Sequence, residues 1–118
     1  MRRLVVALGG NAIIQAGQRG TAEEQQANVD LTCRQLAELV AAGYELIITH
    51  GNGPQVGNLL VKNELARDVV PPVPLHWCVA QTQATIGFMI QQALGAELRQ
   101  RGLDRVVATL VTRTEVSP

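Results

Sequence analysis

Apolar and polar positions fall into blocks of two kinds along the chain: short unbroken apolar runs, and longer stretches in which apolar residues return every three or four positions. "RLVVAL", Arg3 to Leu8, is of the first kind and is stopped by Gly9 and Gly10. Such a run predicts a strand buried on both faces of a parallel sheet. "TAEEQQANVDLTCRQLAELVAAG" is of the second kind. Thr21, with Glu24 three residues on, forms a capping box, and Gly43 supplies the stop. Val29, Cys33, Leu36 and Val40 lie on one stripe of the helix between them. Residues 45 to 49, "ELIIT", predict a second strand. A helix then begins near Pro54, where proline at the first helical position loses no useful donor, and runs to about Arg67. The prolines of "VVPPVPLHW" forbid a helix and predict an extended connector. A long helix follows from about Trp77 to Arg101, with Val79, Ile86, Ile90, Leu94 and Leu98 on one side. "DRVVATLVT", residues 104 to 112, predicts a third strand.

The order strand, helix, strand, helix, helix, strand predicts an α/β fold with an open, mostly parallel sheet covered by helices. No internal repeat, low-complexity tract or domain boundary interrupts it. The 118 residues suit one domain, which at this size buries roughly 65% of its extended surface. A three-stranded sheet has two open edges and leaves apolar helix faces uncovered, so the pattern reads as part of something larger.

Charge and composition narrow the function. Ten basic and ten acidic residues cancel to a formal charge of +0, so no long-range field draws the chain to nucleic acid or acidic lipid. One Trp, one Tyr and one Phe are available for stacking on bases, which argues further against nucleic acid. "MRRLVVALGG" imitates a secretory signal, but "GGN" breaks its apolar run too early. No stretch approaches the roughly 20 apolar residues that cross a bilayer. Cys33 and Cys78 lack CxxC spacing and suit a reducing compartment. A cytoplasmic protein is the expectation.

The chemistry is expected at two glycine turns, "GGNA" at 9 to 12 and "GNGPQVG" at 51 to 57, each following a strand. In open parallel sheets ligands bind beyond the carboxyl ends of the strands, where both turns would lie. Glycine lets backbone N–H groups converge with no Cβ in the way, and the helix entered through Pro54 adds its positive end. An oxyanion, phosphoryl or carboxylate, is the natural guest. Rival patterns fit poorly. There is no GxxxxGK[ST], and "GNGPQVG" is one residue longer than the dinucleotide fingerprint, follows the second strand and has no acidic residue placed to hold a ribose.

"VALGGNAI", "GQRGTAEEQQANV", "ITHGNGPQVGNLL" and "AQTQATIGFMIQQAL", in this order and spacing, closely resemble the carbamate kinases of the amino acid kinase family. The resemblance covers nearly the whole chain, and "THGNGPQVG" is its most specific part. It implies a three-layer α/β/α sandwich and phosphoryl transfer between ATP and carbamate, with magnesium, commonly making ATP from carbamoyl phosphate in arginine breakdown. By that likeness Gly9, Gly10 and Asn11 contact the transferring phosphoryl group, with Gly10 and Asn11 as the catalytic pair, while Gly51, Asn52 and Gly53 hold the carbamate end. The family dimerises, which makes the long helix containing Gly87 the candidate homodimer interface. Glycine there costs about 1 kcal/mol against alanine, tolerable if it permits close helix packing.

The residue inventory agrees in part with that chemistry. Carbamate is already an anion and needs no general base; phosphoryl transfer needs positioning and cations. Lys62, the only lysine, sits well inside the second helix, and Arg19 is the one arginine in a loop near the expected site. The resemblance places the nucleotide-gripping half, with its lysines and aspartate, beyond Pro118. Residues 1–118 are thus expected to be the substrate-binding part, inactive alone, whether a fragment or a true short product. The alternatives are a non-catalytic oxyanion-binding or assembly module, and a family member with another carboxyl acceptor. "GGN" in the first turn, where relatives with other acceptors would usually carry "GGK", favours carbamate. His50 reads either as an acid or as a residue fixing backbone, Arg19 as a substrate contact or a solvated side chain, and "QTQ" at 81 to 83 as facing substrate or a neighbouring subunit.

Overall fold

The computed structural model describes residues 1–118, the side chain of Asn11 excepted. It divides into two compact units, Met1–Gly51 with Phe88–Ala108, and Asn52–Gly87 with Thr109–Pro118.

In the first unit, strands β1 (Arg2–Leu8) and β2 (Tyr44–His50) pair in parallel, in a register running from Arg2 opposite Tyr44 to Leu8 opposite His50. Helix α1 (Ala22–Ala41) makes the crossover between them. Its start is the expected capping box: Thr21 Oγ1 accepts from the Glu24 N–H at 3.2 Å, and the Thr21 N–H donates to Glu24 Oε1 at 3.0 Å. The latter bond holds the Glu24 carboxyl below its ordinary value. The stop is Gly43, at φ +100°, a conformation that other residues adopt at a cost.

The core of this unit lies between α1 and the second half of helix α3 (Leu75–Gln100). Val29, Cys33, Leu36, Ala37 and Val40 are buried from α1, and Ile90, Ala93, Leu94 and Leu98 from α3. Burial, followed by the charges of Asp30 and Glu97, pushes the Cys33 thiol from 9.0 up to about 12. It stays protonated and packs as a small hydrophobe, as its stripe position predicts.

The sheet departs from expectation in two ways. The first strand is covered on one face only. Leu4, Val6 and Leu8 are half-buried, as are their register partners Leu46, Ile48 and His50, whereas Val5 and Ile47, opposite one another, stay exposed at 69% and 48%. On the same face Arg3 pairs with Glu45 at 2.9 Å. The expected third strand is also absent: among the described residues the sheet holds only β1 and β2, and 104–112 is irregular. A β-rich composition becomes a strand only when a partner strand takes its backbone groups. Here glutamine side chains take some of them. Gln91 Nε2 donates to the Val107 carbonyl at 2.9 Å within the first unit. Within the second, Gln83 accepts from the Thr112 N–H at 2.7 Å and donates to the Thr112 carbonyl at 3.3 Å.

The second unit contains helix α2 (Gly53–Ala66), the first half of α3 and the segment from Thr109. The expected connector between the helices is irregular, and Asn63 Nδ2 ties it down through the Val73 carbonyl at 3.3 Å. Helix α3 starts two residues earlier than expected, because Pro74 ends the connector and its carbonyl accepts from the N–H groups of Trp77 and Cys78. Cys78, Thr82, Ile86 and Gly87 are its buried residues here, while Val79 is only half-buried. The buried stripe therefore steps by four from Leu98 back to Cys78 and passes beside Val79. Gly87 does permit a close approach, but from the Thr109 side chain of the same chain, into which a Cβ at 87 would collide. Among the described residues no helix is long and apolar enough to cross a membrane.

Candidate anion-binding site

Parallel pairing of β1 and β2 puts Leu8 opposite His50, so both strands release the chain at the same end of the sheet. Gly9 and Gly10 leave from one strand and Gly51 from its neighbour, all within the first unit. Gly9 is extended (φ −73°, ψ 175°) and leads into a short 3-10 helix, Gly10–Ala12. Asn11 lies in that turn, and its side chain falls outside the described residues. The loop that follows is fixed from α1: Asn28 Nδ2, on a residue only 8% exposed, donates to the Ile13 carbonyl at 2.8 Å and to Gln18 Oε1 at 2.7 Å. Gln18 Oε1 also accepts from the Gln15 N–H at 2.8 Å.

His50 lies 3.0 Å through Nδ1 from the Gly51 carbonyl. A carbonyl only accepts, so this bond assigns the proton to Nδ1. Of the two readings of His50, the bond supports the one that fixes backbone. Arg19 is exposed.

Asn52 and Gly53 belong to the second unit, at the entry to α2. Asn52 occupies the N-cap position, with φ −151° and ψ 13°, yet its side chain does not cap the helix. Its Nδ2 donates instead to Thr82 Oγ1 at 2.9 Å, and the Thr82 hydroxyl donates in turn to the Val79 carbonyl at 2.7 Å. Thr82 is 3% exposed. The first-turn amides of Gly53 and Gln55 thus receive no oxygen from Asn52, and Pro54 has no N–H to satisfy. Lys62 lies exposed near the middle of α2.

The glycines separate into two classes. Gly17, Gly20, Gly43 and Gly102 hold positive φ, but Gly9, Gly10, Gly51 and Gly53 do not. A left-handed Gly53, which its place in a tight turn suggests, is therefore not what the structure shows. A Cβ added at any of these four would meet nothing within 4 Å. Neither backbone conformation nor packing inside the chain calls for glycine at the turns. What bare backbone still provides there is room for a group from outside the chain to reach the peptide nitrogens.

Sequence reasoning met Thr82 only as the middle of "QTQ" and left its role open between substrate and a neighbouring subunit, although a sharper signal was available. Stepping back by four from Leu98 through Leu94, Ile90 and Ile86 lands on Thr82, a hydroxyl on an otherwise apolar stripe.

Residues 2–118 match the amino acid kinase family. The chain belongs to that family. Among curated relatives, a carbamate kinase of Thermococcus kodakarensis is 53% identical over 98% of this chain and 38% of its own length. One of Pyrococcus furiosus is 50% identical over 98% of this chain and 37% of its own. Among solved structures, a carbamate kinase from Giardia lamblia bound to AMP-PNP superposes with a TM-score of 0.84 at 38% identity, covering 86% of this chain and 36% of that one. The amino acid kinase fold class expected from the sequence, α/β with a parallel sheet, is thus shown by both the structure and its neighbours. The chain spans somewhat over a third of the length of the relatives it matches.

Proposed function

We propose that this chain is the acceptor-binding part of a carbamate kinase, which transfers a phosphoryl group between ATP and carbamate and makes ATP from ADP and carbamoyl phosphate in arginine breakdown. The observation that carries the reading is the class of glycines at the turns, bare although neither φ nor internal packing requires it. Gly9, Gly10 and Asn11 are assigned to the transferring phosphoryl group, and Gly51, Asn52 and Gly53 to the carbamate end. Charge-assisted bonds from backbone amides contribute about 1.5 to 3 kcal/mol each, which is how neutral turns hold a doubly charged ligand. Carbamate attacks as an anion, so no base is required of the chain.

The chain supplies positions more than charge. Its one lysine is turned to solvent midway along α2, while phosphoryl transfer relies on cations to offset developing charge. In this reading residues 1–118 are the carbamate- and phosphoryl-binding part, and nucleotide, with its magnesium, is gripped elsewhere. Among the described residues no three His, Cys, Asp or Glu side chains are grouped to hold a metal ion. The residues present do not fit the ion, and no step here is drawn through it. We read the assembly as a cytoplasmic homodimer formed through α3, whose Leu75 and Trp77 are exposed.

The test is ATP formation from ADP by this chain, and by the chain extended at its carboxyl end with the remainder of a curated relative. The extended protein should be active and prefer carbamoyl phosphate to acetyl phosphate, and the 118-residue chain should be inactive. Equal use of the two acyl phosphates would defeat the assignment. A second measurement addresses the turn itself. Gly53→Ala should leave the urea midpoint nearly unchanged, since its methyl meets open space. It should weaken calorimetric binding of carbamoyl phosphate by about 1.5 kcal/mol, one charge-assisted bond. Unchanged affinity would remove Gly53 from the site.

A further inference from the structure

We infer that Thr82 is a positioning residue that sets which end of the Asn52 carboxamide is presented to the ligand, and thereby selects an amino-bearing acyl phosphate over its methyl counterpart. The inference rests on the proposed site and adds to it a source of specificity. A threonine hydroxyl has one proton. In this chain that proton goes to the Val79 carbonyl at 2.7 Å, an acceptor three residues back on the same helix. Only a lone pair of Oγ1 is left to face Asn52, so the group that meets it at 2.9 Å must be the NH₂ end of the carboxamide. Burial of Thr82 at 3% exposure keeps water from substituting for either partner. Orientation follows by elimination: Nδ2 is turned toward Thr82 and Oδ1 becomes the end left for a ligand.

Asparagine is among the best N-caps when its oxygen is aimed at its own helix. Asn52 makes no such bond, so Oδ1 is not spent on α2. An amide oxygen accepts a hydrogen bond from an N–H₂ group, offers nothing to a methyl group and repels an anionic oxygen. A carbamoyl group carries the first and an acetyl group the second. Asn52 is only half-buried. The discrimination expected is therefore about tenfold, the worth of one ordinary hydrogen bond, well short of the ratios reached in fully dry pockets.

The experiment uses the 118-residue chain with two hydrolysis-resistant probes, phosphonoacetamide and phosphonoacetone, which differ as NH₂ does from CH₃. Binding is followed by NMR titration of backbone amides together with the Asn52 side-chain NH₂ signals. The wild-type chain should bind phosphonoacetamide about tenfold more tightly. Thr82→Val, close in shape but without the hydroxyl, should move the Asn52 NH₂ signals and bind both probes equally. Thr82→Ser should keep both the signals and the preference, an outcome that does not depend on the valine variant folding. A wild-type chain that binds both probes equally, or a Thr82→Val chain that retains the preference, overturns the inference and leaves the proposed site standing. A wild-type chain that binds neither probe overturns both.

Discussion

Asn28→Asp is expected to destabilise the chain by about 3 kcal/mol, the cost of leaving a buried carboxylate facing acceptors instead of donating to them. Asn28 Nδ2 is shared between the Ile13 carbonyl and Gln18 Oε1, both within 2.8 Å. An aspartate has no proton to give either at neutral pH, so two attractive contacts become repulsive at a site only 8% exposed. Asn28→Leu should cost less, about 2 kcal/mol: the Ile13 carbonyl is left unpaired, but no charge is buried. Gln18 Oε1 keeps the Gln15 N–H in both variants. Urea unfolding of the three proteins checks the order wild type, Leu, Asp. An Asp variant as stable as wild type would show that the loop after the first glycine turn is not held from α1.

Gly87→Ala is expected to lower stability by up to about 2 kcal/mol, against helix propensity. Alanine in a helix interior gains about 1 kcal/mol over glycine, but overpacking costs about 1 to 3 kcal/mol. The collision involves Cβ of Thr109 as well as its Oγ1 and Cγ2, so a rotamer change cannot relieve it. The segment from Thr109 must move instead, and the Thr112 N–H bond to Gln83 should be lost with it. Amide exchange at Thr112 should accelerate while helical circular dichroism is retained. In a Thr109→Gly background the same substitution should become stabilising by about 1 kcal/mol. No change of sign between the two backgrounds would mean that the contact does not decide the effect.

Local rules made much of this architecture legible. Thr21 and Glu24 satisfy one another across three residues, and Gly43 ends the helix by its own conformation. Nothing distant is needed to read either. The second helix begins at Gly53, beside Pro54, for the same reason. Long-range partners decide what the sequence did not reveal. "DRVVATLVT" has the composition of a strand, but glutamines from α3 bond to its backbone where a neighbouring strand was expected. Gly87 was legible as a close approach but not as one made by Thr109, 22 residues on. At the candidate site the glycine turns and their place at the strand ends could be read directly, because parallel pairing fixes the end at which both chains emerge. The Thr82 contact could not, since the hydroxyl and its partner Asn52 are 30 residues apart and only folding brings them together.

The half-dressed sheet of the first unit bears on how the chain behaves in a tube. Val5 and Ile47 stand side by side on its bare face, and each strand hydrogen-bonds along one margin only. Such a ribbon recruits further strands, and what normally discourages this is like-charge repulsion between molecules. A chain with a formal charge of +0 lacks that repulsion. Its colloidal stability therefore rests on dilution, or on whatever comes to lie over that face, and lowering the salt will not rescue it.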